Sequence, residues 1–432
     1  MEGTMTESAE RTTPHTRTAG DVLDMLDPEL LSNPFGVYRR LREQTPLARA
    51  LPRGIDTPVW LATRYADVRT VMSDARFSND PDDVPDGLAD DLHRQITSTR
   101  GLSGEEAQYV ARSILDLEGA DHTRLRKLVS RAFTARRVNE LRPRMQEITD
   151  RLLDELPSKA ADGAVDLIDH FAYPLPITVI CELVGIPDED RQQWHRWSDA
   201  LISIDRTAFG PALLEGAAYI RDLIGHRRAR PTQDLLSALL RVEEEDGDRL
   251  TEEELVRLVF TLVIAGHVTT AHLIGNGVLA LLTHQDQLAR LRADPDLTPR
   301  AVHELMRWCG PVLGAVRVRY ATDDVEIADT LIHRGEGVLA LFASANRDPR
   351  EFPDPDRLDI TREPPRRETH LGFGHGAHYC LGAALARQEA ETAFDSLFRR
   401  YPKLSLAVPP ESLHHRPSPN FRGLPQLPVR LE

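Results

Sequence analysis

Cysteine is scarce in this chain, whose 432 residues include three: Cys181, Cys309 and Cys380. An odd and sparse set is not a disulfide framework, so we expect a reducing, cytoplasmic compartment. The first twenty residues hold no apolar core, which argues against a signal peptide or membrane anchor. We find no uncharged apolar run long enough to span a bilayer, so we expect no association with a membrane. The formal net charge of -15 argues against nucleic acid as the main partner.

No linker, repeat or low-complexity segment divides the chain, so one large unit is an alternative to the several domains that its length suggests. Residues 1–20 are predicted to be a flexible tail. The pattern predicts mostly helices with a minor β portion, and the acidic segment 77–105 is predicted to be a loop. Strands are predicted at 59–63, 314–320, 323–327 and 337–341, and helices near 121–156, 171–185, 188–205, 211–226, 232–242, 251–283, 286–294 and 298–309.

The longest predicted helix spans residues 251–283. Thr251 and Glu254 form a capping box at its start, and its length would be roughly 48 Å. It is apolar on nearly every face, which predicts burial through the centre of the domain. Gly266 lies in its interior, where glycine costs about 1 kcal/mol relative to alanine. A flat ligand or a tight helix crossing would offset this cost, and the residues alone favour the crossing.

The segment Phe373–Gly382 reads FGHGAHYCLG. Gly374 and Gly376 permit turns that other residues resist, and Cys380 directly precedes a predicted helix rich in small residues. A helix N-terminus stabilises a thiolate over a thiol. Three interpretations of Cys380 stay open from the residues: a buried core cysteine, a haem thiolate, or a zinc site with His370, His375 and His378. A zinc site usually needs a second ligand cluster, which is missing.

The pattern F-G-x-G-x-H-x-C-x-G resembles the haem-binding signature of the cytochromes P450. Further motifs of that family follow in the expected order, with H-T-x-x-R at 122–126, A-G-x-x-T-T at 265–270 and E-x-x-R at 304–307. The resemblance covers about residues 21–432. It implies a single, mainly α domain with a minor β lobe, in which haem b lies between the long central helix and the cysteine loop. Cys380 would then be the axial ligand of the haem iron.

The resemblance also implies roles for other residues. Glu304 and Arg307 would form a buried structural pair that engages Arg357. The haem site would use Phe373, Gly374 and Gly382 of the cysteine loop, and the haem propionates would be held by His122, Arg126, Arg319 and His378.

The A-G-x-x-T-T motif implies an oxygen-binding groove in the central helix, which reverses the preference for a helix crossing. The groove would consist of Ala265, Gly266, Thr269 and Thr270, with the Thr269 hydroxyl beside dioxygen. The family usually has an acid just before this threonine, whereas this chain has Val268. Since valine cannot relay a proton, proton delivery is expected to differ, although some macrolide hydroxylases of the family also lack the acid.

The implied activity is insertion of one oxygen atom from O2 into a fairly large natural product, such as a macrolide or polyketide, by hydroxylation or epoxidation. The alternatives are non-standard oxidation, such as coupling, desaturation or peroxide use, and a haem-thiolate sensor without turnover. The pocket is expected to involve the loop 77–105, the segment near 180–212, and the residues Val312, Leu313, Val316 and Phe421.

The chain shows no flavin or nicotinamide motif, so electrons should come from outside the chain. The resemblance implies that they come from NAD(P)H through a ferredoxin and its reductase, as in soluble bacterial members of the family. Such ferredoxins are acidic, and a basic cluster in residues 121–137 is the expected docking face. A monomer is expected. The cluster contains Arg124, Arg126, Lys127, Arg131, Arg136 and Arg137.

Overall fold

The computed structural model describes residues 22–84, 88–99, 112–202, 207–241, 250–363 and 369–432. The predicted tail over residues 1–20 lies outside them. The described chain is mainly helical, as expected. Its α-helices are Pro28–Ser32, Pro34–Gln44, Tyr65–Ser73, Leu88–Thr99, Gly119–Ala132, Ala135–Glu140, Arg142–Lys159, Pro174–Val184, Arg191–Ile202, Phe209–Ala229, Leu235–Arg241, Glu252–Thr283, Gln285–Ala293, Thr298–Cys309, Phe342–Ala345 and Ala383–Arg400.

The β portion of the described residues is minor and forms three small sheets. The largest has six strands in the order Leu23–Asp24, Leu47–Leu51, Val59–Ala62, Gly337–Ala340, Arg319–Ala321 and Phe77–Ser78. A three-stranded sheet has the order Ser405–Leu406, Pro428–Arg430 and Val165–Asp166, and a hairpin pairs Val325–Ile327 with Thr330–Ile332. The predicted strands at 59–63, 323–327 and 337–341 are confirmed, and the one at 314–320 begins only at Arg319.

Two predicted segments differ from the structure. The segment 121–156 is three helices rather than one, because Thr134 begins a new helix by accepting a bond from the Arg137 amide. The segment 77–105, predicted as a loop, contains the helix Leu88–Thr99. The loop prediction was wrong there because Leu92 is fully buried in the core, which rewards a helical turn despite the acidic composition.

The central helix, Glu252–Thr283, begins where the capping box predicts. The Thr251 hydroxyl accepts from the Glu254 amide at 3.2 Å, and the Glu254 carboxylate accepts from the Thr251 amide at 2.9 Å. Among the described helices it is the one that passes for a membrane span by length and composition, contrary to the sequence expectation. However, 61% of its most apolar 18-residue stretch is buried inside the protein, as in the core helix of a soluble protein.

A fully buried ion pair lies beneath the cysteine loop. Arg307 donates through Nε and Nη2 to the two carboxylate oxygens of Glu304, each at 2.7 Å, and the side chains are 0% and 1% exposed. The prediction that the Arg357 side chain joins this pair is wrong. Arg357 is exposed and contributes its carbonyl oxygen to Arg307 Nη2 at 3.3 Å. The third charged partner is Arg362, whose Nε lies 3.4 Å from Glu304.

Replacing Arg307 by methionine should lower the free energy of unfolding by about 3 kcal/mol or more, because Glu304 would stay buried with too little positive charge. The matched control is Arg357→Met, which leaves the carbonyl contact intact and should change stability by less than about 0.5 kcal/mol. Denaturant unfolding of the haem-loaded variants measures both. Equal losses in the two variants would contradict this assignment.

Candidate active site

The cysteine loop owes its shape to close backbone packing. The Cys380 amide donates to the Phe373 carbonyl at 2.9 Å, and Gly374 and Gly376 both have φ of 73°, a region in which other residues are strained. A Cβ at Gly376 would also overlap the Met72 carbonyl oxygen. The loop is therefore pinned against the helix Tyr65–Ser73, and it delivers Cys380 to the start of the helix Ala383–Arg400.

Cys380 is the exposed cysteine of the three, all of which lie in the described part of the chain. Burial raises the pKa of Cys181 and of Cys309 to about 12, so both thiols stay protonated. Among the described residues, no group of three or more His, Cys, Asp or Glu could hold a metal ion, so the zinc interpretation has no support. Since Cys380 is exposed, the core-cysteine interpretation fails as well, leaving an accessible sulfur beside a helix N-terminus, where thiolate is favoured.

The structure brings together the four residues that the sequence predicts for the propionates. The rings of His122 and His378 lie 4.2 Å apart, and Arg126 Nη2 donates to the carbonyl of Tyr379, next to Cys380, at 2.6 Å. Arg319 is 4% exposed. Several nitrogens of this group are buried without a hydrogen-bond partner among the described residues, namely His122 Nε2, His378 Nε2, and Nε and Nη1 of Arg319.

Such a cluster calls for an anion, because buried polar groups are almost always hydrogen-bonded. Desolvation lowers the pKa of Arg126 and of Arg319, and it lowers the pKa of His122 to about 4. The Cys380 sulfur opposes the shift at Arg126, which reflects its proximity to the guanidinium. Buried donors beside an accessible cysteine fit the two propionates and the iron of haem b, with charge-assisted bonds from the arginines.

The predicted oxygen groove occupies two faces of the central helix. Ala265 is exposed, and Thr269, one turn later, is half-buried and donates to the Ala265 carbonyl at 2.8 Å. Gly266 instead faces the helix Pro174–Val184, where a Cβ would lie 3.0 Å from the Ile180 side chain. The helix crossing that the residues alone favour is therefore present, and the accessible face is that of Ala265 and Thr269. Thr270 is buried.

Sequence reasoning missed a buried acid behind this groove. Val268 is 2% exposed and apolar. Glu389 lies in the helix Ala383–Arg400, which follows Cys380 and is called the cysteine helix below. Glu389 is fully buried, and desolvation raises its pKa well above 4.5. The Thr270 side chain approaches the carboxyl group and partly opposes this rise, although neither carboxyl oxygen has an aligned hydrogen bond. Glu389 shares a helix face with the buried Leu385 and Ala393, and this spacing is the signal that could have revealed it.

His267 links the central helix to Tyr173, which directly precedes the helix Pro174–Val184. Its Nδ1 lies 2.6 Å from the Val263 carbonyl, so it carries the proton there, and its Nε2 accepts from the Tyr173 hydroxyl at 3.0 Å. Tyr173 in turn stacks on His195, with ring centroids 3.9 Å apart. Burial lowers the pKa of His267 to about 4, so this histidine is neutral at pH 7.

The predicted pocket residues are only partly where they were expected. Val312 forms an isolated antiparallel bridge with Phe421, and Val316 is 41% exposed. Leu313 is wrong as a lining residue, because its side chain is 3% exposed and packs in the core of the small lobe. Residues 85–87, 100–111 and 203–206 of the expected pocket segments lie outside the described residues.

The members of the predicted basic cluster make different contacts. Arg124 pairs with Glu254 at the start of the central helix, and Arg126 donates to the Tyr379 carbonyl at 2.6 Å. Arg136 pairs with Glu140 within its own helix at 2.8 Å. Arg137 donates to backbone carbonyls, which include that of Ala132 at 3.3 Å. Lys127 and Arg131 are exposed on the helix Gly119–Ala132.

A cysteine just before a helix start, beside buried nitrogen donors, with that helix packed on a long central helix, is the arrangement of the haem-thiolate class. The cytochrome P450 family model matches residues 218–421. The chain is 44% identical to the cytochrome P450 monooxygenase PikC of Streptomyces venezuelae, over 97% of each protein. It is 40% identical to the 6-deoxyerythronolide B hydroxylase of Saccharopolyspora erythraea, over 94% of this chain and 99% of that protein.

The fold is also similar to that of a solved cytochrome P450. The Bacillus subtilis 168 bacillaene polyketide synthase cytochrome P450 PksS superposes with a TM-score of 0.84 at 38% identity, covering 94% of this chain and 99% of that chain. This chain belongs to the cytochrome P450 family and is a monooxygenase. Membership implies haem, dioxygen, a small-molecule substrate and an external source of electrons.

The depressed pKa of His267 has a consequence for stability. Between pH 6.5 and 4 the unfolded chain protonates this histidine and the folded chain does not, so stability falls as pH falls. The loss assigned to His267 is about 3 kcal/mol across this window. We expect His267→Gln to remove that part of the slope in unfolding measured against pH, and His333→Gln, at an exposed histidine, to leave it unchanged. Identical slopes for both variants would contradict this.

Proposed function

We propose that this chain is a haem-thiolate monooxygenase that inserts one oxygen atom of O2 into a fairly large natural product, with a macrolide or other polyketide favoured. The observation that carries the proposal is Cys380, an accessible cysteine just before a helix start, beside buried nitrogens that have no hydrogen-bond partner in the described part of the chain. Haem b held by Cys380 would supply the redox chemistry, including the O–O cleavage that a thiolate ligand favours. The protein residues bind, orient and protonate.

The residues of the site have separate roles in this proposal. Cys380 Sγ would hold the iron, while Arg126, Arg319, His122 and His378 would hold the propionates. Because Arg126 also donates to the Tyr379 carbonyl, it joins the propionate site to the cysteine loop. This coupling would fix the haem plane relative to the sulfur.

Proton supply has an alternative source in the absence of an acid at Val268. Burial raises the pKa of the Glu389 carboxyl group and so favours its protonated form, and the Thr270 hydroxyl lies next to it on the central helix. Thr270 follows directly on Thr269, whose hydroxyl is on the accessible face. We infer that the Glu389 proton and the two threonine hydroxyls serve the function that an acid at position 268 would serve.

The substrate proposal rests on the relatives and on the accessible side chains. The names of two relatives specify a polyketide substrate or pathway, 6-deoxyerythronolide B hydroxylase and the bacillaene polyketide synthase P450. Small or apolar side chains are accessible at Ala265, Val316 and Phe421, which suits a large apolar substrate. Hydroxylation and epoxidation are both compatible with this surface.

Electrons are proposed to come from NAD(P)H through a ferredoxin and its reductase, in a cytoplasmic, monomeric, single-domain enzyme over residues 21–432. Lys127 and Arg131 are exposed on the helix Gly119–Ala132, which also carries the haem-site residues His122 and Arg126. An acidic ferredoxin bound there would lie close to the haem edge. Attraction between opposite charges would mainly raise the rate of encounter.

Turnover with isotopically labelled dioxygen tests the proposal, with a panel of macrolides and other polyketides as substrates. One labelled oxygen atom should appear in the product when ferredoxin, its reductase and NAD(P)H are present. The double variant Lys127→Glu and Arg131→Glu should slow this reaction roughly tenfold at low salt, through weaker encounter. It should leave peroxide-driven turnover unchanged.

The control is Arg399→Glu, at an exposed arginine near the far end of the cysteine helix. It should leave both reactions unchanged. Product without label, or product formed only with peroxide, would contradict the proposed reaction. Equal slowing by Arg399→Glu would contradict the docking face.

A further inference from the structure

Glu118 precedes the helix Gly119–Ala132 and occupies its N-cap position, yet it makes no capping bond. Ser, Thr, Asp and Asn are the usual residues there, because their short side chains reach the first free amides. The Glu118 carboxylate extends away from the helix instead. Its Oε1 accepts from the Asn79 amide at 3.0 Å and from Arg319 Nη2 at 3.1 Å.

The same oxygen lies 3.1 Å from His378 Nε2. The distance is that of an ion pair, but the two groups are not aligned as in a hydrogen bond. His378 Nε2 therefore has no hydrogen-bond partner among the described residues. Desolvation opposes ionisation of Glu118, but His378 and Arg319 outweigh it, and the pKa of the carboxyl group is lowered. Glu118 is therefore an anion at neutral pH.

One carboxylate oxygen thus joins three separate parts of the chain. Asn79 follows the strand Phe77–Ser78, Arg319 begins the neighbouring strand, and His378 lies in the cysteine loop. The Glu118 side chain is 17% exposed, Arg319 is 5% exposed and His378 is 7% exposed. Solvent screening is weak at such burial, so these contacts are stronger than surface ion pairs.

The contacts of Arg319 show what Glu118 does. Nη2 is saturated, since it donates to both Glu118 and the Phe77 carbonyl. Nε and Nη1 are buried and have no partner among the described residues. The carboxylate and the carbonyl therefore fix the guanidinium by one nitrogen and leave the other two available to an anion.

We propose that Glu118 is a positioning residue for the haem propionates, which holds Arg319 and His378 in their binding orientation through a shared carboxylate. This inference rests on the proposed function, because the anion in question is a haem propionate. Glu118 also adds a third negative charge beside the two propionates. A nearby negative charge disfavours reduction of the haem iron, so removing the charge of Glu118 should raise the midpoint potential.

The test compares Glu118→Gln, which keeps the shape and removes the charge, with Glu118→Asp, which keeps the charge and shortens the reach. The matched control is Asp116→Asn, because Asp116 is equally exposed and pairs with Arg317 rather than with Arg319. The measurements are haem transfer to excess apomyoglobin, the midpoint potential of the haem iron, and the melting temperature of the haem-free protein.

Glu118→Gln should release haem roughly tenfold faster, since a hydrogen bond to a charged group is lost, and its midpoint potential should rise. Glu118→Asp should also release haem faster but keep the wild-type potential, and this variant decides the outcome if the glutamine variant does not fold. Asp116→Asn should match the wild type in both readings. Melting of the haem-free protein should not distinguish Glu118→Gln from Asp116→Asn.

Wild-type haem release and potential in Glu118→Gln would overturn the inference while leaving the proposed function intact. Equal effects in Glu118→Gln and Asp116→Asn, with equal loss of haem-free stability, would also overturn it, because they indicate a general structural role. A wild-type protein that binds no haem would instead defeat the proposed function.

Discussion

The buried pair of Glu304 and Arg307 is the constraint on which the position of the cysteine depends. Arg307 Nη1 donates to the Asn346 carbonyl at 2.8 Å, and the Asn346 side chain accepts from the Leu371 amide at 2.6 Å. Leu371 is where the cysteine loop begins its turn, since its carbonyl accepts from Gly374 at 2.9 Å. A displaced guanidinium would therefore move the loop. The ion pair is stabilising only because every partner is in place.

The site is assembled on this frame from elements far apart in sequence. The central helix contributes the accessible face of Ala265 and Thr269, the cysteine loop contributes Cys380, and the helix Ala383–Arg400 contributes Glu389. The two helices pack directly on each other, so an acid on one can approach Thr270 on the other. This arrangement leaves a buried carboxyl group close to the central helix of a chain that has Val268 before Thr269.

The sequence predicted the fold and the family, because short motifs and helix signals are local. The capping box located the start of the central helix, and the glycines around Cys380 marked a turn that the structure confirms. Errors arose where a contact is long-range. The arginine that joins Glu304 is Arg362 rather than Arg357. Which of the two side chains turns inward depends on how the irregular segment that carries both of them folds.

Burial was the other source of error. Glu118 and Glu389 look like ordinary acids until the residues packed against them are known. Leu313 was expected to line the pocket, but the β lobe buries it. Whether Gly266 marks a groove or a crossing depended on Ile180, which lies about eighty residues away in the sequence. Such pairings are tertiary facts that local periodicity does not encode.

The central claim is that the Cys380 thiolate is the axial ligand of haem iron. The most direct measurement is the absorption spectrum of the reduced, CO-treated protein. The wild type and the variants Cys181→Ser and Cys309→Ser should show the strongly red-shifted Soret band of thiolate ligation, and Cys380→Ser should lack it. A red-shifted band that persists in Cys380→Ser, or no such band in the haem-loaded wild type, would contradict the account.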